Sequence, residues 1–279
     1  MENIETDICV IGAGAGGLSV AAGASQMGAS VVLLESGKVG GDCLNYGCVP
    51  SKAMIAAGHA AELFRTSEPF GVAQQEPVID FAKVHKHVHD VIGAIKPNDS
   101  VERFESLGVH VIQAAGKFIG RREVVAGDAR IKAKYFVVAT GSSAVVPPIP
   151  GLADVHYLTN ETVFERTECP EHLLVIGGGP IGCELAQAHR RLGAKATILE
   201  MFGILAKDDP EAADVVRRQL QREGISVRED IKVSEVSASD GGVTVEIECD
   251  DGAETITGSH VLVAAGRRPN LDGLDLDAA

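Results

Sequence analysis

Basic residues are scarce in this chain: 25 Lys and Arg stand against 39 Asp and Glu, a formal net charge of −14. So acidic a protein lacks the positive field that draws nucleic acid or an anionic membrane surface, so any phosphate must be held by local backbone donors. Aromatics are equally sparse at 4%, against 32 glycines. That balance argues against a β-sandwich and for an α/β chain with many tight turns. Cys9, Cys169, Cys183 and Cys249 are scattered singly, so no disulfide framework is present. Met1–Asp7 is acidic and lacks the cationic stretch of a signal peptide. Ile8 to Leu34 carries no charge for 27 residues, long enough for a membrane span, but six glycines and Gln26 interrupt it. It is expected to form a buried strand, a glycine turn and a buried helix in a soluble, cytoplasmic protein.

A chain of 279 residues, 45% hydrophobic, can bury two ordinary cores. One stretch carries the most chemistry: Gly40 to Lys52, GGDCLNYGCVPSK. Along a straight helix Cys43 and Cys48 would be about 7.5 Å apart in rise. A disulfide wants its Cα atoms roughly 4.4–6.8 Å apart, so the segment must bend if the thiols pair, and Gly47 permits a bend. Pro50 and Ser51 suit the first turn of a helix, which puts Cys48 near a helix N-terminus, where a thiolate is favoured. The pair reads as a redox-active dithiol. A structural disulfide and half of a metal site are the alternatives, though no second pair or histidine set follows at zinc spacing.

From the N-terminus, Asp7–Ile11 is a short apolar run leading into Gly12-Ala-Gly14-Ala-Gly-Gly17, then a small-residue helix (Leu18 to Met27) and the strand Ser30 to Leu34, ending at Glu35. Strand, G-x-G-x-x-G, helix, strand and acid is the order of a dinucleotide site. The glycines let a pyrophosphate reach the helix N-terminus, and the acid accepts from ribose hydroxyls. The pattern recurs. Gly12, Gly14, Gly17 and Glu35 reappear 165 positions on as Gly177, Gly179, Gly182 and Glu200, and Tyr135–Gly141 corresponds to His260–Gly266. Two copies imply two dinucleotides, in an α/β fold of two Rossmann-like domains with small antiparallel β-meanders.

Between the copies, helices are expected over Ala53–Phe64 and Phe81–Ile95, a strand over Val109–Ile112 and a meander over Lys117–Lys132. His85 and His89 stand one turn apart in the second helix, but no carboxylate or cysteine completes a ligand set, so no metal is expected. Pro147–Gly151 breaks every regular pattern and marks a domain boundary. Beyond it, Pro210–Arg222 is an amphipathic helix, and Ile231–Val236, Val243–Cys249 and Glu254–Gly258 form a second meander.

These motifs resemble the pyridine nucleotide–disulfide oxidoreductases, the flavoenzyme family of dihydrolipoamide dehydrogenase, glutathione reductase and mercuric reductase. The resemblance covers the whole chain, as that family's first two domains. It implies an FAD-binding domain with the redox disulfide over residues 1–150, an NAD(P)-binding domain over 151–270, and a return toward the first domain over 271–279. Electrons would pass from the nicotinamide through FAD to the Cys43–Cys48 disulfide, and on to a small-molecule or protein disulfide or a related acceptor. Cys48 would lie beside the flavin and Cys43 would exchange with substrate, with Lys52 and Glu184 as an ion pair near flavin N5. Gly41, Gly116, Thr140, Gly141 and Ser142 match further flavin contacts. Val233 and Gly266 join the second glycine turn around the nicotinamide nucleotide. Glu200 stands where users of NADPH tend to place a basic residue, so NAD is expected over NADP.

Two positions depart from the family: Asp42 stands where threonine is usual, and Pro180 replaces an aromatic gate. The chain stops after Gly266-Arg-Arg-Pro-Asn270 and Ala279, before the family's dimerisation domain, which supplies the acid/base and makes the full-length member a homodimer. A catalytically incomplete nucleotide-binding fragment is therefore one alternative. A flavin-dependent NADH oxidase or monooxygenase is another, against which the C-x4-C pair counts.

Overall fold

Each short apolar run identified above folds as a strand in the computed structural model, which describes residues 1–250 and 252–279. In chain order the elements are β1 (Glu2–Ile11), α1 (Ala15–Gln26), β2 (Val31–Leu34), α2 (Gly41–Asn45), α3 (Cys48–Arg65), α4 (Phe81–Ile95), α5 (Val101–Ser106), β3 (Val109–Ile112), β4 (Gly116–Gly120), β5 (Glu123–Ala126), β6 (Ala129–Val138) and β7 (Ser142–Ala144). Then follow β8 (Tyr157–Leu158), β9 (His172–Ile176), α6 (Pro180–Arg191), β10 (Lys195–Leu199), α7 (Pro210–Arg222) and β11 (Ser226–Arg228). The last are β12 (Lys232–Ser239), β13 (Gly242–Cys249), β14 (Gly252–Gly258), β15 (His260–Val263) and β16 (Arg267–Pro269).

The chain divides into two units: Met1–Val49 with Asp90–Ser143 and Arg268–Ala279, and Pro50–His89 with Ala144–Arg267. This differs from the linear division at Pro150. Ile149 and Leu152 pack into the core of the second unit with Leu174, Ile176 and Val236, so the proline stretch lies inside that unit. The body of α3 also belongs there: Gly58 sits against Ala188, and the Arg65 guanidinium donates to the Arg191 carbonyl at 2.8 Å.

In the first unit the strand order is β3-β2-β1-β6-β5-β4, with β3, β2, β1 and β6 parallel and β6, β5 and β4 antiparallel. The run Val31-Val-Leu-Leu34 is apolar throughout because both its faces are covered. Val31 and Leu33 pack with Leu18, Ala21 and Phe104 of the helices, whereas Val32 and Leu34 pack with Phe118, Val124 and Ile131 of the meander. Each such side chain contributes about 1.5–3 kcal/mol by burial. Strand β1 starts at Glu2, earlier than its apolar run, because Glu2–Thr6 pairs with Ala129–Ala133. Helix α1 buries one face only, through Gly17, Leu18 and Ala21, and leaves Met27 exposed, so the uncharged stretch is strand, turn and half-buried helix. No helix among the described residues is long and apolar enough to cross a membrane.

The second unit repeats the plan with a parallel sheet, β11-β10-β9-β15-β8, and a separate antiparallel sheet, β12-β13-β14. Val243, Val245 and Ile247, alternate residues of β13, pack with Leu174, Ile176, Val261 and Val263. Local chemistry sets the helix starts. Asp209 accepts from the Glu211 N–H at 2.9 Å ahead of Pro210, and Ser100 caps α5, a helix too short to show in the hydrophobic pattern.

His189 of α6 is wholly buried; its Nδ1 donates to the Leu185 carbonyl at 2.8 Å and its Nε2 has no hydrogen-bond partner among the described residues. Burial pushes its pKa down to about 4, with the nearby Arg166 and His260 adding to the shift. Above pH 6.5 the ring is neutral in both folded and unfolded chains; below it, only the unfolded chain takes up the proton. Stability is thus expected to fall as pH drops from 6.5 toward 4, by up to about 3 kcal/mol. Urea midpoints at pH 7 and pH 5 measure the loss, and His189→Leu should flatten the slope. An unchanged slope in that variant would refute the assignment.

Candidate active site

The two glycine turns agree in their hydrogen bonds as well as in sequence. In the first unit, the Gly12 N–H donates to the Leu34 carbonyl at 2.8 Å, and the Glu35 carboxylate accepts from the N–H groups of Ala13 (2.6 Å) and Gly37 (2.7 Å). In the second, Gly177 donates to Leu199 at 2.9 Å, and Glu200 accepts from Gly178 (2.6 Å) and Phe202 (3.0 Å). Every donor and acceptor is displaced by the same 165 positions.

Glycine is required at the first position of each turn. Gly12 (φ +108°) and Gly177 (φ +112°) lie in the left-handed region, and a Cβ there would meet the carbonyl of Ala139 at 2.3 Å or of Ala264 at 2.4 Å. At Gly17 and Gly182 a Cβ would come within 1.8 and 2.0 Å of the carbonyls of Gly12 and Gly177, so these glycines seat the helix on its strand. Gly14 and Gly179 are the N-caps of α1 and α6; neither helix has a side-chain cap or an acid in its first turn. Open donors at the positive end of a helix dipole, beside a backbone cradle, fit a pyrophosphate.

Around the second turn lies a cavity of about 570 Å³. Gly177, Gly179, Glu200, Val233 and Gly266 all line it, whereas Gly182 sits behind it as a packing glycine. Its volume is that of an ordinary small-molecule site. Sequence reasoning missed the neighbouring wall from Met201, Phe202 and Lys207, which follow Glu200 in an irregular stretch.

The dithiol segment is laced to the first turn. Gly40 donates to the Ala13 carbonyl at 2.9 Å and forms a parallel bridge with Gly14; a Cβ on Gly41 would lie 2.6 Å from the Gly14 Cα. The bend between the cysteines arises differently from the expectation. Positive φ falls on Gly40 (+91°) and Gly41 (+55°), ahead of both cysteines, and short α2 ends at Tyr46 before α3 begins at Cys48. Gly47 sits in a tight place: a Cβ would stand 3.0 Å from both the carbonyl and the carboxylate of Asp42, which would have to shift slightly.

No disulfide joins the two thiols; Cys43 is half-buried and Cys48 exposed at the start of α3. Their side chains are hydrogen-bonded to each other. Burial first, then that bond and the charge of a Cys48 thiolate, push the Cys43 thiol up to about 11. Cys43 therefore keeps its proton at neutral pH.

Among the remaining residues, Thr140, Gly141 and Ser142 follow the C-terminal end of β6. Asn270 holds this turn: its side-chain amide donates to the Thr140 carbonyl at 3.2 Å, its N–H donates to the Gly141 carbonyl at 3.0 Å, and its Oδ1 accepts from Ser143 at 2.9 Å. Nothing in the sequence around Asn270 signals this role. Gly116, at the start of β4, is buried, and a Cβ there would come 2.8 Å from the Leu34 side chain. Within the second unit, Lys52 Nζ lies 2.5 Å from Glu184 Oε2, and both side chains are well exposed. Such a pair adds little stability, so its value rests on chemistry.

Comparison with known proteins follows the same lines. The family model described as pyridine nucleotide-disulphide oxidoreductase matches residues 6–279. The chain is 34% identical over 277 residues to a mercuric reductase of Streptomyces lividans, covering 97% of this chain and 58% of that protein. It is 36% identical over 281 residues to a dihydrolipoyl dehydrogenase of Geobacillus stearothermophilus, covering 98% and 59%. Among solved structures, the HOCl-induced flavoprotein disulfide reductase RclA from Escherichia coli aligns with a TM-score of 0.84 at 25% identity, over 98% of this chain and 59% of that one. The chain therefore spans about half to three-fifths of the length of these relatives.

Proposed function

The chain belongs to the pyridine nucleotide-disulphide oxidoreductase family, and on that premise we propose that it carries the nucleotide sites and redox dithiol of an NADH-dependent flavoenzyme that reduces a disulfide or related acceptor. The observation that carries the reading is the hydrogen-bonded Cys43–Cys48 pair on a segment tied to Gly14 of the first glycine turn. FAD, when bound, supplies the two-electron chemistry that links a nicotinamide to a dithiol.

The chain's own residues have separable tasks in this proposal. The backbone N–H groups opening α1 hold the FAD pyrophosphate, Glu35 accepts from its ribose, and Gly41, Gly116, Thr140, Gly141 and Ser142 shape the rest of that site. Cys48 is the thiol beside the flavin, and Cys43 meets the acceptor. Because Cys43 holds its proton at neutral pH, it must lose that proton before its sulfur attacks a disulfide, and the proton goes to the leaving thiolate. In the complete exchange the dithiol gives up two electrons and two protons and becomes a disulfide, while the acceptor disulfide becomes two thiols. The Lys52–Glu184 ion pair takes the charged role that the family resemblance implies. The reading extends, as in the family, to a homodimer acting in the cytoplasm on small-molecule or protein disulfides.

Anaerobic titration of the FAD-loaded protein with NADH tests this. The flavin should bleach, and a long-wavelength thiolate–flavin band should follow. Bleaching without that band would remove the dithiol from the electron path, and no bleaching would refute the oxidoreductase reading.

Glu200 governs the choice of nicotinamide cofactor in this proposal. Its carboxylate is fixed on the cavity wall by two backbone donors, where it accepts from a ribose hydroxyl and repels a 2′-phosphate. Glu200→Arg is expected to narrow the NADH preference by about tenfold or more. Binding titrations with both cofactors decide it; tighter NADPH binding by the unmodified chain would overturn the assignment.

A further inference from the structure

His85 and His89 lie one helical turn apart on α4, their ring centroids separated by 4.2 Å. Both are half-buried. Two histidines at i and i+4 project from one helix face, the spacing by which a helix presents a pair of imidazoles to one metal ion. The sequence offers no third ligand nearby, which is why it suggested a solvated helix face. The fold adds a neighbour that the sequence does not show. The single turn Val163–Glu165 brings in a carboxylate, placing Glu165 Oε2 3.8 Å from His89 Nε2. One donor atom from each of His85, His89 and Glu165 lies within 4.8 Å of the other two.

We propose that His85, His89 and Glu165 bind a divalent transition-metal ion of the zinc class, with water completing its shell. Two imidazoles and one carboxylate suit such a borderline ion. Magnesium and calcium want an all-oxygen shell, and softer ions want thiolates. Tetrahedral zinc, with bonds of about 2.0–2.1 Å, sets its ligand atoms about 3.3 Å apart, so the three residues must close by up to about 1.5 Å. The Glu165 side chain is 60% exposed and can swing inward, and the His89 ring makes a 3.3 Å contact with the Phe164 carbonyl that it can give up. The bound ion clips α4 to the Val163–Glu165 turn and stabilises the folded chain by mass action.

The test must separate this site from the dithiol, whose thiolates also take zinc, so the parent for it carries Cys43→Ser and Cys48→Ser. Calorimetric titration with zinc chloride should find one ion per chain, and magnesium chloride should give no heat. Adding His89→Ala or Glu165→Gln should weaken zinc binding by about tenfold or more. The zinc-induced rise in melting temperature seen in the parent should vanish in His89→Ala, with the fold checked by circular dichroism. Cobalt(II) should give visible bands without a thiolate-to-metal charge-transfer band. Zinc binding unaffected by His85→Ala and His89→Ala, a thiolate band with cobalt, or no binding by the parent would each overturn the site. None of these outcomes touches the proposed flavin chemistry.

Discussion

Cys48→Ser is expected to abolish disulfide reduction, with a fall on the order of 10³-fold or more, because it removes the thiol that lies beside the flavin in the proposed path. The fold should tolerate the change. Cys48 is exposed at the start of α3, a position where serine is at home. Cys43→Ser should reduce turnover as severely but leave a different spectrum. It removes the proton-holding partner and retains Cys48, so the thiolate–flavin band should appear in the oxidised protein without added NADH. Cys48→Ser should never show that band. Steady-state rates beside visible spectra of the two variants separate the roles; a band in Cys48→Ser and none in Cys43→Ser would exchange them.

The second large effect is on stability. Gly17→Ala drives a methyl group to 1.8 Å from the Gly12 carbonyl, and Gly12 cannot retreat because its own Cβ direction is blocked by the Ala139 carbonyl. A loss of about 3 kcal/mol or more is expected, a large share of an ordinary domain's stability, together with loss of nucleotide binding. Gly16→Ala is the control. It lies next door in α1 with no heavy atom within 4 Å of its added Cβ, so it should be neutral or stabilise by up to about 1 kcal/mol. Urea unfolding of the two variants measures the difference. Equal midpoints would show that the turn is less tightly packed against α1 than the distances require.

Much of this protein was legible in its sequence, and the reason is the short range of the signals. Val31–Leu34 and Leu173–Ile176 are apolar enough to state their burial alone, Asp209-Pro210 announces a helix start, and Gly12 and Gly177 mark turns that only glycine can make. The 165-residue repeat is equally plain, since each copy carries its own strand, turn and acid. Other features depend on partners far along the chain. Polar Glu2–Thr6 is a strand only because Ala129–Ala133 lies beside it, and Gly47 is crowded because Asp42 closes over it. The body of α3 joins the second unit because Gly58 fits against Ala188. The protonation of Cys43 comes from burial and from Cys48, and the ligand set of His85 and His89 is completed by a turn that no periodicity links to α4. Composition and local spacing determine which elements form and which residues are equipped for chemistry. Tertiary packing decides which of them meet, because desolvation, close approach and shared hydrogen bonds arise only between surfaces the folded chain brings together.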